Sequence, residues 1–232
     1  MRIFLTVTIM LGFVITGINA QGLQSARDVL AGLSDRFKSN VRDYQASIKL
    51  TQGENSQSGT VRFRNPQKMR VDFSDGQILC SDGYELWIYI PAQTLLLKQE
   101  LQSRSLATNS DGTPAAAESP MMTTLVGLDR LIEEYSVEFP GSRNAEVYKD
   151  GTNVYQFKLT KWQTPRSGIS VINLTVQDNG MIRRVEGFTT TFRRILIEFD
   201  DIQLNTGISN IIFTFESPGL VNTINNFMTL GE

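Results

Sequence analysis

The side chains best suited to catalysis are scarce in this chain. It contains no histidine and a single cysteine, Cys80, among 232 residues. Without histidine there are no Ser-His or Cys-His nucleophile pairs, no histidine metal sites and no histidine general base. Asp200-Asp201 and Glu133-Glu134 are adjacent carboxylates, and adjacent side chains on a strand point to opposite faces. The sequence therefore predicts no enzyme, no metal site and no cofactor.

Cys80 has no second cysteine with which to form an internal disulfide, and it lies in the apolar run QILCS. We expect it to be buried, because a free cysteine packs like a small hydrophobic residue. The chain carries 22 basic and 24 acidic residues, for a net charge of −2. This nearly even charge balance gives no overall indication of binding to nucleic acid or to anionic lipid surfaces.

Residues 1–20 have the pattern of a secretory signal peptide. A short basic start, Met1-Arg2, is followed by an apolar stretch over 3–15 and a small residue, Ala20. The stretch is shorter than the ~20 residues that span a bilayer. We expect cleavage after Ala20, and an uncleaved N-terminal anchor is the alternative. No cysteine lies near the cut, which excludes lipidation there. Residues 21–232 then form one exported domain with a substantial core.

Residues 58–91 are the most informative part of the chain. Apolar side chains alternate with mostly charged ones, first at Val61 and Phe63 and then at Met69, Val71 and Phe73. This alternation predicts two strands, each with one apolar and one charged face. The turn tripeptides Ser-Asp-Gly at 74–76 and 81–83 separate them from further strands, of which the last, over 86–90, is apolar on both faces.

Two segments read as helices. Apolar residues at helical spacing over 25–40 predict an amphipathic helix, followed by a first strand in which Tyr44, Ala46, Ile48 and Leu50 alternate. Residues 102–119 are small and polar and predict a loop. Ser119-Pro120 is a sound helix start, and the helix over 121–132 shows a broad apolar face. That helix either lies on the core or forms a lid over a cavity.

From Tyr135 onward the pattern predicts strands again. Asn179-Gly180 is the strongest hairpin signal, and Ile211, Phe213 and Phe215 alternate near the end. In all, eleven to thirteen short strands and two helices occur without strand-helix-strand alternation. This favours a mainly β (α+β) fold with a single, strongly curved antiparallel sheet and both helices on its concave side.

Such a sheet either closes over a solid core or opens an apolar pocket beneath the helices. Flexible and aromatic side chains suit a lipid-binding wall. The residues predicted to line an acyl-chain cavity are Val61, Phe63, Met69, Val71, Phe73, Met121, Met122 and Leu125.

The segment 59–91 resembles the LolA-like family of periplasmic outer-membrane lipoprotein carriers. The shared order is a glycine, alternating apolar residues, a proline, a second strand, an apolar pair, Ser-Asp-Gly and LWIYxP. Ser119-Pro120-Met121-Met122 and the ending FTFESPGL also look like their family counterparts. The resemblance implies an unclosed, half-open barrel of about eleven strands with an N-terminal helix and a lid helix. It also implies a periplasmic chaperone that shuttles lipoproteins from the inner to the outer membrane.

The partners implied by the resemblance are lipidated proteins as cargo, an inner-membrane ABC transporter complex and an outer-membrane lipoprotein receptor. A monomer that binds no nucleic acid is expected. Two other functions remain open on the same fold. One is a periplasmic regulator that senses lipid or lipoprotein, and the other is a carrier of a different amphiphile, such as a glycolipid.

The chain departs from the family pattern at the lid lock. The family often has an arginine immediately before the strand-breaking proline, where it helps to hold the lid shut. Here Asn65 precedes Pro66, and Arg64 lies one residue earlier. Alternation places Asn65 on the inner face and Arg64 on the outer face. Asn65 could still hydrogen-bond lid carbonyls, with fewer donors than a guanidinium. Asn65 and Arg64 are therefore the candidate lock residues, and the insertion at 102–119 is a second departure.

Overall fold

The computed structural model describes residues 24–101, 128–162, 168–217 and 219–227. Helix α1 (Ala26–Asn40) begins where the sequence predicts, because Ser25 and Asp28 form a capping box. The Ser25 hydroxyl accepts from the Asp28 N–H at 3.1 Å, and the Asp28 carboxylate accepts from the Ser25 N–H at 3.2 Å. Leu30 and Leu33 are buried on one side of α1, so its apolar face lies on the sheet.

The described residues contain thirteen strands in one sheet and a second helix, α2 (Leu128–Glu134). The strands are β1 (Asp43–Gln52), β2 (Asn55–Arg64), β3 (Lys68–Phe73), β4 (Ile78–Ser81), β5 (Glu85–Ile90), β6 (Leu95–Glu100), β7 (Tyr135–Glu138), β8 (Glu146–Val147), β9 (Asn153–Lys161), β10 (Ile169–Gln177), β11 (Ile182–Thr189), β12 (Arg194–Leu204) and β13 (Asn222–Asn225). Two short 3₁₀ turns cover Pro91–Gln93 and Asn210–Phe213.

The strands are ordered β13-β6-β5-β4-β3-β2-β1-β12-β11-β10-β9-β7, with β8 paired to β9. Most neighbours are consecutive in the chain, and the β1–β12 pair joins the two halves. Within the described ranges the two ends of the sheet do not pair with each other, so the barrel is unclosed. This confirms the predicted fold class. Thirteen strands lie at the upper end of the eleven to thirteen counted from the sequence and exceed the eleven or so that the family resemblance implies. The detail that differs is the parallel pairing of β13 with β6.

The core lies between the inner face of the sheet and the two helices. On β1, Tyr44, Ala46 and Ile48 are buried, whereas Ser47 and Lys49 are exposed. The same alternation buries Phe157 and Leu159 completely on β9. Each large apolar side chain buried in this way contributes roughly 1.5–3 kcal/mol.

The predicted Asn179-Gly180 hairpin joins β10 to β11 and contacts α1. Gly180 has a φ of +87°, and a Cβ at this position would lie 2.1 Å from the Leu33 carbonyl oxygen. The turn therefore needs glycine both for its backbone conformation and for its close approach to α1. Arg36 of α1 adds a hydrogen bond of 3.1 Å to the Asp178 carbonyl.

The C-terminal part of the chain crosses the outer face of the sheet. We call residues 208–215 the outer strap. Arg64 donates to the Ile208 carbonyl, and Arg70 donates to the Ile212 carbonyl at 3.2 Å. The Phe215 ring stacks on Trp87 with a centroid distance of 6.3 Å.

The prediction of a strand through Ile211, Phe213 and Phe215 is wrong. Ile211 and Phe213 lie in the 3₁₀ turn, because basic side chains on β2 and β3 bind strap carbonyls that would otherwise face a neighbouring strand. The buried Phe213 closes over Cys80, whose thiol donates to the Phe213 carbonyl at 3.3 Å. The predicted burial of Cys80 is confirmed, and its cover is the outer strap. Beyond the strap, β13 protects the β6 edge.

Several predicted features lie outside the described residues. They are the signal peptide at 1–20, the loop at 102–119 and the start of the lid helix at 119–127. The described part of that helix is α2. Among the helices of the described ranges, none is long and apolar enough to cross a bilayer.

Candidate ligand-binding pocket

A cavity of about 330 Å³ opens between the sheet and both helices. This volume is at the lower end of the ~300–1,000 Å³ typical of small-molecule pockets. Its walls come from α1, the start of α2, the adjoining ends of β1, β2 and β3, the β10–β11 turn, and β12. The lining residues are Ser34, Phe37, Lys38, Tyr44, Phe63, Asn65, Pro66, Gln67, Met69, Leu128, Asp129, Gly180, Met181, Ile182 and Phe199.

Three aromatic rings form one wall of the pocket. Tyr44 stacks on Phe63 at 5.2 Å between centroids, and Phe37 of α1 meets these rings at 6.3 Å and 5.9 Å. Such ring pairs stabilise the fold by more than the burial of their apolar surface alone. Burial also raises the pKa of Tyr44, so its phenol stays neutral and puts no charge in the wall. With Met69 and Met181 nearby, the surface suits a flexible apolar ligand.

A polar contact joins the two helices at the rim of this pocket. Asp129 of α2 accepts a hydrogen bond of 2.7 Å from the Ser34 hydroxyl and forms a salt bridge with Lys38, both on α1. We call Ser34, Lys38 and Asp129 the helix latch. Burial raises the pKa of Asp129, but the hydrogen bonds from Lys38 and Ser34 outweigh that effect and hold it below its usual value of 3.8. The carboxylate is therefore charged at neutral pH, and the latch is intact.

The structure separates the residues predicted to line the cavity into three groups. Phe63 and Met69 line the pocket. Val61 and Val71 are buried in the core next to them, and Phe73 is half-buried against the same core. Met121, Met122 and Leu125 lie outside the described residues.

The two candidate lock residues lie on opposite faces of the sheet. Asn65 lines the pocket with Pro66 and Gln67, and its backbone N–H donates to the Arg42 carbonyl at 2.8 Å. Arg64 lies on the outer face, where its guanidinium binds the outer strap. A role for either residue in holding the lid stays a prediction.

The residues of the helix latch are not identified by the sequence patterns. Ser34 and Lys38 are four residues apart on α1, a spacing that places two side chains on the same helix face. In the sequence, Asp129 is only one of two charged residues, with Arg130, on the predicted apolar helix over 121–132. Its partners are 91 and 95 residues away in sequence, and no local pattern links side chains over that separation.

The adjacent carboxylates Asp200 and Asp201 have separate structural contacts. Asp200 pairs with Lys149 at 2.9 Å and with Arg183 at 3.4 Å, whereas Asp201 accepts from the Ser47 hydroxyl at 3.0 Å. Arg183, which is 4% exposed, also pairs with Asp150 at 2.6 Å. Among the described residues, no three His, Cys, Asp or Glu side chains are grouped closely enough to hold a metal ion.

The proteins to which this chain is similar in sequence share one name. No protein-family profile matches the chain. An outer-membrane lipoprotein carrier protein from Chromohalobacter salexigens is 27% identical over 208 residues, which cover 87% of each chain. One from Pseudomonas paraeruginosa is 23% identical over 169 residues, or 72% of this chain and 71% of that protein. Both are named as carriers and not as enzymes.

A solved structure shares the fold. The crystal structure of an uncharacterized conserved protein from Thermus thermophilus superposes with a TM-score of 0.55 at 11% identity, over 87% of this chain and 99% of that one. This likeness concerns the fold alone. By sequence, the chain is similar to outer-membrane lipoprotein carrier proteins, the proteins of the LolA-like family.

Proposed function

We propose that this protein is a periplasmic carrier that binds the acyl chains of lipoproteins and moves them from the inner to the outer membrane. The observation that carries the proposal is the pocket bounded by Phe37, Tyr44, Phe63 and Met69, in a chain similar to lipoprotein carriers over most of its length. Each CH₂ group that enters such a pocket contributes ~0.8 kcal/mol. A partly sheltered acyl chain is then held well enough to cross an aqueous compartment.

The helices supply the means of release in this proposal. The pocket lies beneath α1 and α2, so a bound chain must displace α2 or pass beside it. When the ligand leaves, the helices close and the latch of Ser34, Lys38 and Asp129 forms again. Closure thus offsets part of the binding energy and keeps cargo transfer downhill.

The localisation and partners belong to the same proposal. After cleavage at Ala20, the carrier would receive triacylated lipoproteins from an inner-membrane ABC transporter complex and pass them to an outer-membrane receptor. Support comes from the basic and apolar start of the sequence and from the names of the relatives.

The test is to purify the protein from the periplasm of its native cells and to identify the bound molecules by mass spectrometry. Triacylated lipoproteins should copurify with the wild type and be lost in Met69→Glu, which places a charge in the pocket wall. Thr175→Glu on the outer face of β10, opposite Arg184, is the matched control and should retain them. A folded Met69→Glu variant that still holds lipoprotein, or a wild type that carries only glycolipid, would contradict the proposal.

A further inference from the structure

The hairpin between β11 and β12 ends in an exposed phenylalanine. The Thr189 N–H donates to the Arg193 carbonyl at 3.0 Å, and the Phe192 N–H donates to the Thr189 carbonyl at 2.9 Å. The Thr189 hydroxyl accepts from the Arg193 N–H at 3.0 Å and further orders the turn. Phe192 is 92% exposed and has a φ of +59°. The tip is therefore a hydrogen-bonded loop with a bulky ring held in water.

Phe192 is unfavourable at this position on two counts. The left-handed residue of a three-residue hairpin loop is usually glycine, and a bulky side chain there is strained. A phenylalanine so exposed also gains nothing from burial in the folded chain. A residue that opposes both local preferences indicates a role outside the fold itself.

The surroundings of Phe192 show which kind of surface it would meet. Arg193 and Arg194 follow it and are exposed, and Arg193 has no salt bridge to any described residue. Arg194 pairs with Glu186, which also contacts Arg184, so that carboxylate is neutralised. The near-neutral charge of the whole chain thus conceals a local basic tip.

A second exposed aromatic ring lies at the same end of the sheet. Ile169 pairs with Thr189, and Val171 pairs with Thr160, so the end of β9 and the β11–β12 turn face the same way. Trp162 follows β9 and is 64% exposed. Three acidic residues also lie at this end. Glu54 is in the β1–β2 turn, where Gln52 pairs with Ile195, and Glu133 and Glu134 end α2, where the Glu134 carbonyl accepts from the Trp162 N–H at 3.3 Å.

We propose that Trp162, Phe192, Arg193 and Arg194, the hairpin tip, dock onto the surface of an anionic phospholipid bilayer. Trp and Phe rings favour the interfacial zone of a membrane, and arginines beside them are attracted to lipid phosphates. A protein partner would need a broad complementary surface, whereas this tip offers a protruding ring flanked by cations. The bilayer is therefore the favoured partner.

The hairpin tip is distinct from the ligand pocket. Ile182, at the start of β11, lines the pocket, and Thr189, at its other end, begins the turn that carries Phe192. At ~3.4 Å per residue, β11 separates the two by roughly 24 Å. Docking of the tip does not depend on the carrier role, because it concerns a different end of the molecule.

The experiment is cosedimentation of the exported chain, purified from the periplasm, with vesicles of two compositions. We expect binding to vesicles of equal parts phosphatidylcholine and phosphatidylglycerol, and little binding to phosphatidylcholine alone. Phe192→Gly should weaken binding about tenfold, and Arg193→Gln about fivefold at low salt, with the latter effect fading as salt is added. Phe192→Gly should not lower the melting temperature, since glycine suits the turn better.

The matched control is Ile211→Ser, which removes an apolar side chain that is 76% exposed on the outer strap. It should bind anionic vesicles like the wild type. The proposal is overturned if the wild type ignores anionic vesicles, or if Phe192→Gly binds them unchanged. It is also overturned if the wild type has no affinity for lipid but binds a protein, and Phe192→Gly abolishes that binding. None of these outcomes bears on whether lipoprotein occupies the pocket.

Discussion

Asp129→Asn is expected to open the pocket by weakening the helix latch. Asn keeps the size of the side chain and can still accept one hydrogen bond from Ser34, but it loses the charge that attracts Lys38. The Asp129 side chain is half exposed, so its ion pair contributes only ~0–1 kcal/mol. The hydrogen bond from the buried Ser34 to a charged acceptor is worth ~1.5–3 kcal/mol, against ~1 kcal/mol for a neutral one.

The expected loss is therefore about 1–2 kcal/mol of closure energy, which raises the open-to-closed ratio by roughly 5- to 30-fold. If ligand enters only the open form, its apparent affinity rises by a similar factor while that form stays a minority. Stopped-flow fluorescence with a fluorescent fatty-acid analogue measures both the association rate and the affinity.

Asp35→Asn is the matched control. Asp35 lies 3.9 Å from the same Lys38 but is on α1 and strongly exposed, so its loss leaves the link between the helices intact. The reasoning is refuted if Asp129→Asn takes up the analogue no faster than Asp35→Asn while both unfold at the same temperature as the wild type.

The latch, the β10–β11 turn and the outer strap each give a further prediction. The pKa of Asp129 is lowered in the folded chain, so the latch is complete above pH ~4 and is lost as the pH falls through the lowered pKa. Over that fall in pH, uptake of the fluorescent analogue should accelerate in the wild type and not in Asp129→Asn. Gly180→Ala should lower the free energy of unfolding, measured in urea, by about 2–4 kcal/mol. Gly53 also has a positive φ, but no atom lies within 4 Å of its Cβ position. Gly53→Ala should therefore lower the free energy of unfolding by only ~1 kcal/mol. Burial raises the pKa of Cys80 to about 11, so labelling of its thiol at neutral pH should be slow. Phe213→Ala should accelerate the labelling about tenfold, because it loosens the outer strap. An unchanged labelling rate would show that the strap does not shield the thiol.

Local patterns in the sequence predicted the inner face of the sheet well. The alternation through Tyr44, Ala46 and Ile48, and through Phe63 and Met69, identifies inward side chains because a strand has a period of two residues. The Ser25 cap and the Asn179-Gly180 turn are also local signals, and both elements form where they indicate. These features needed no knowledge of which strands become neighbours.

The features that the sequence did not reveal depend on contacts between distant segments. Whether Val61 lines a pocket or packs in the core depends on which residues from distant segments cover it, and the periodicity of β2 carries no such information. The same holds for the helix latch, in which Asp129 meets Ser34 only because both helices lie on one sheet.

The outer strap shows how one alternating pattern serves two purposes. The apolar residues of β2 and β3 point inward and build the core and the pocket wall, and the intervening arginines point outward. Exposed arginines on a sheet are ordinarily solvated, so the pattern alone indicates nothing more. Here Arg64 and Arg70 donate to backbone carbonyls of the strap, which turns an apparent final strand into a cover for Cys80. Arg64 is thus committed to the outer face, so of the two candidate lock residues only Asn65 faces the pocket. The contact of Asp129 with Ser34 and Lys38 is a second link between the pocket rim and the helices, and the Asp129→Asn variant tests it.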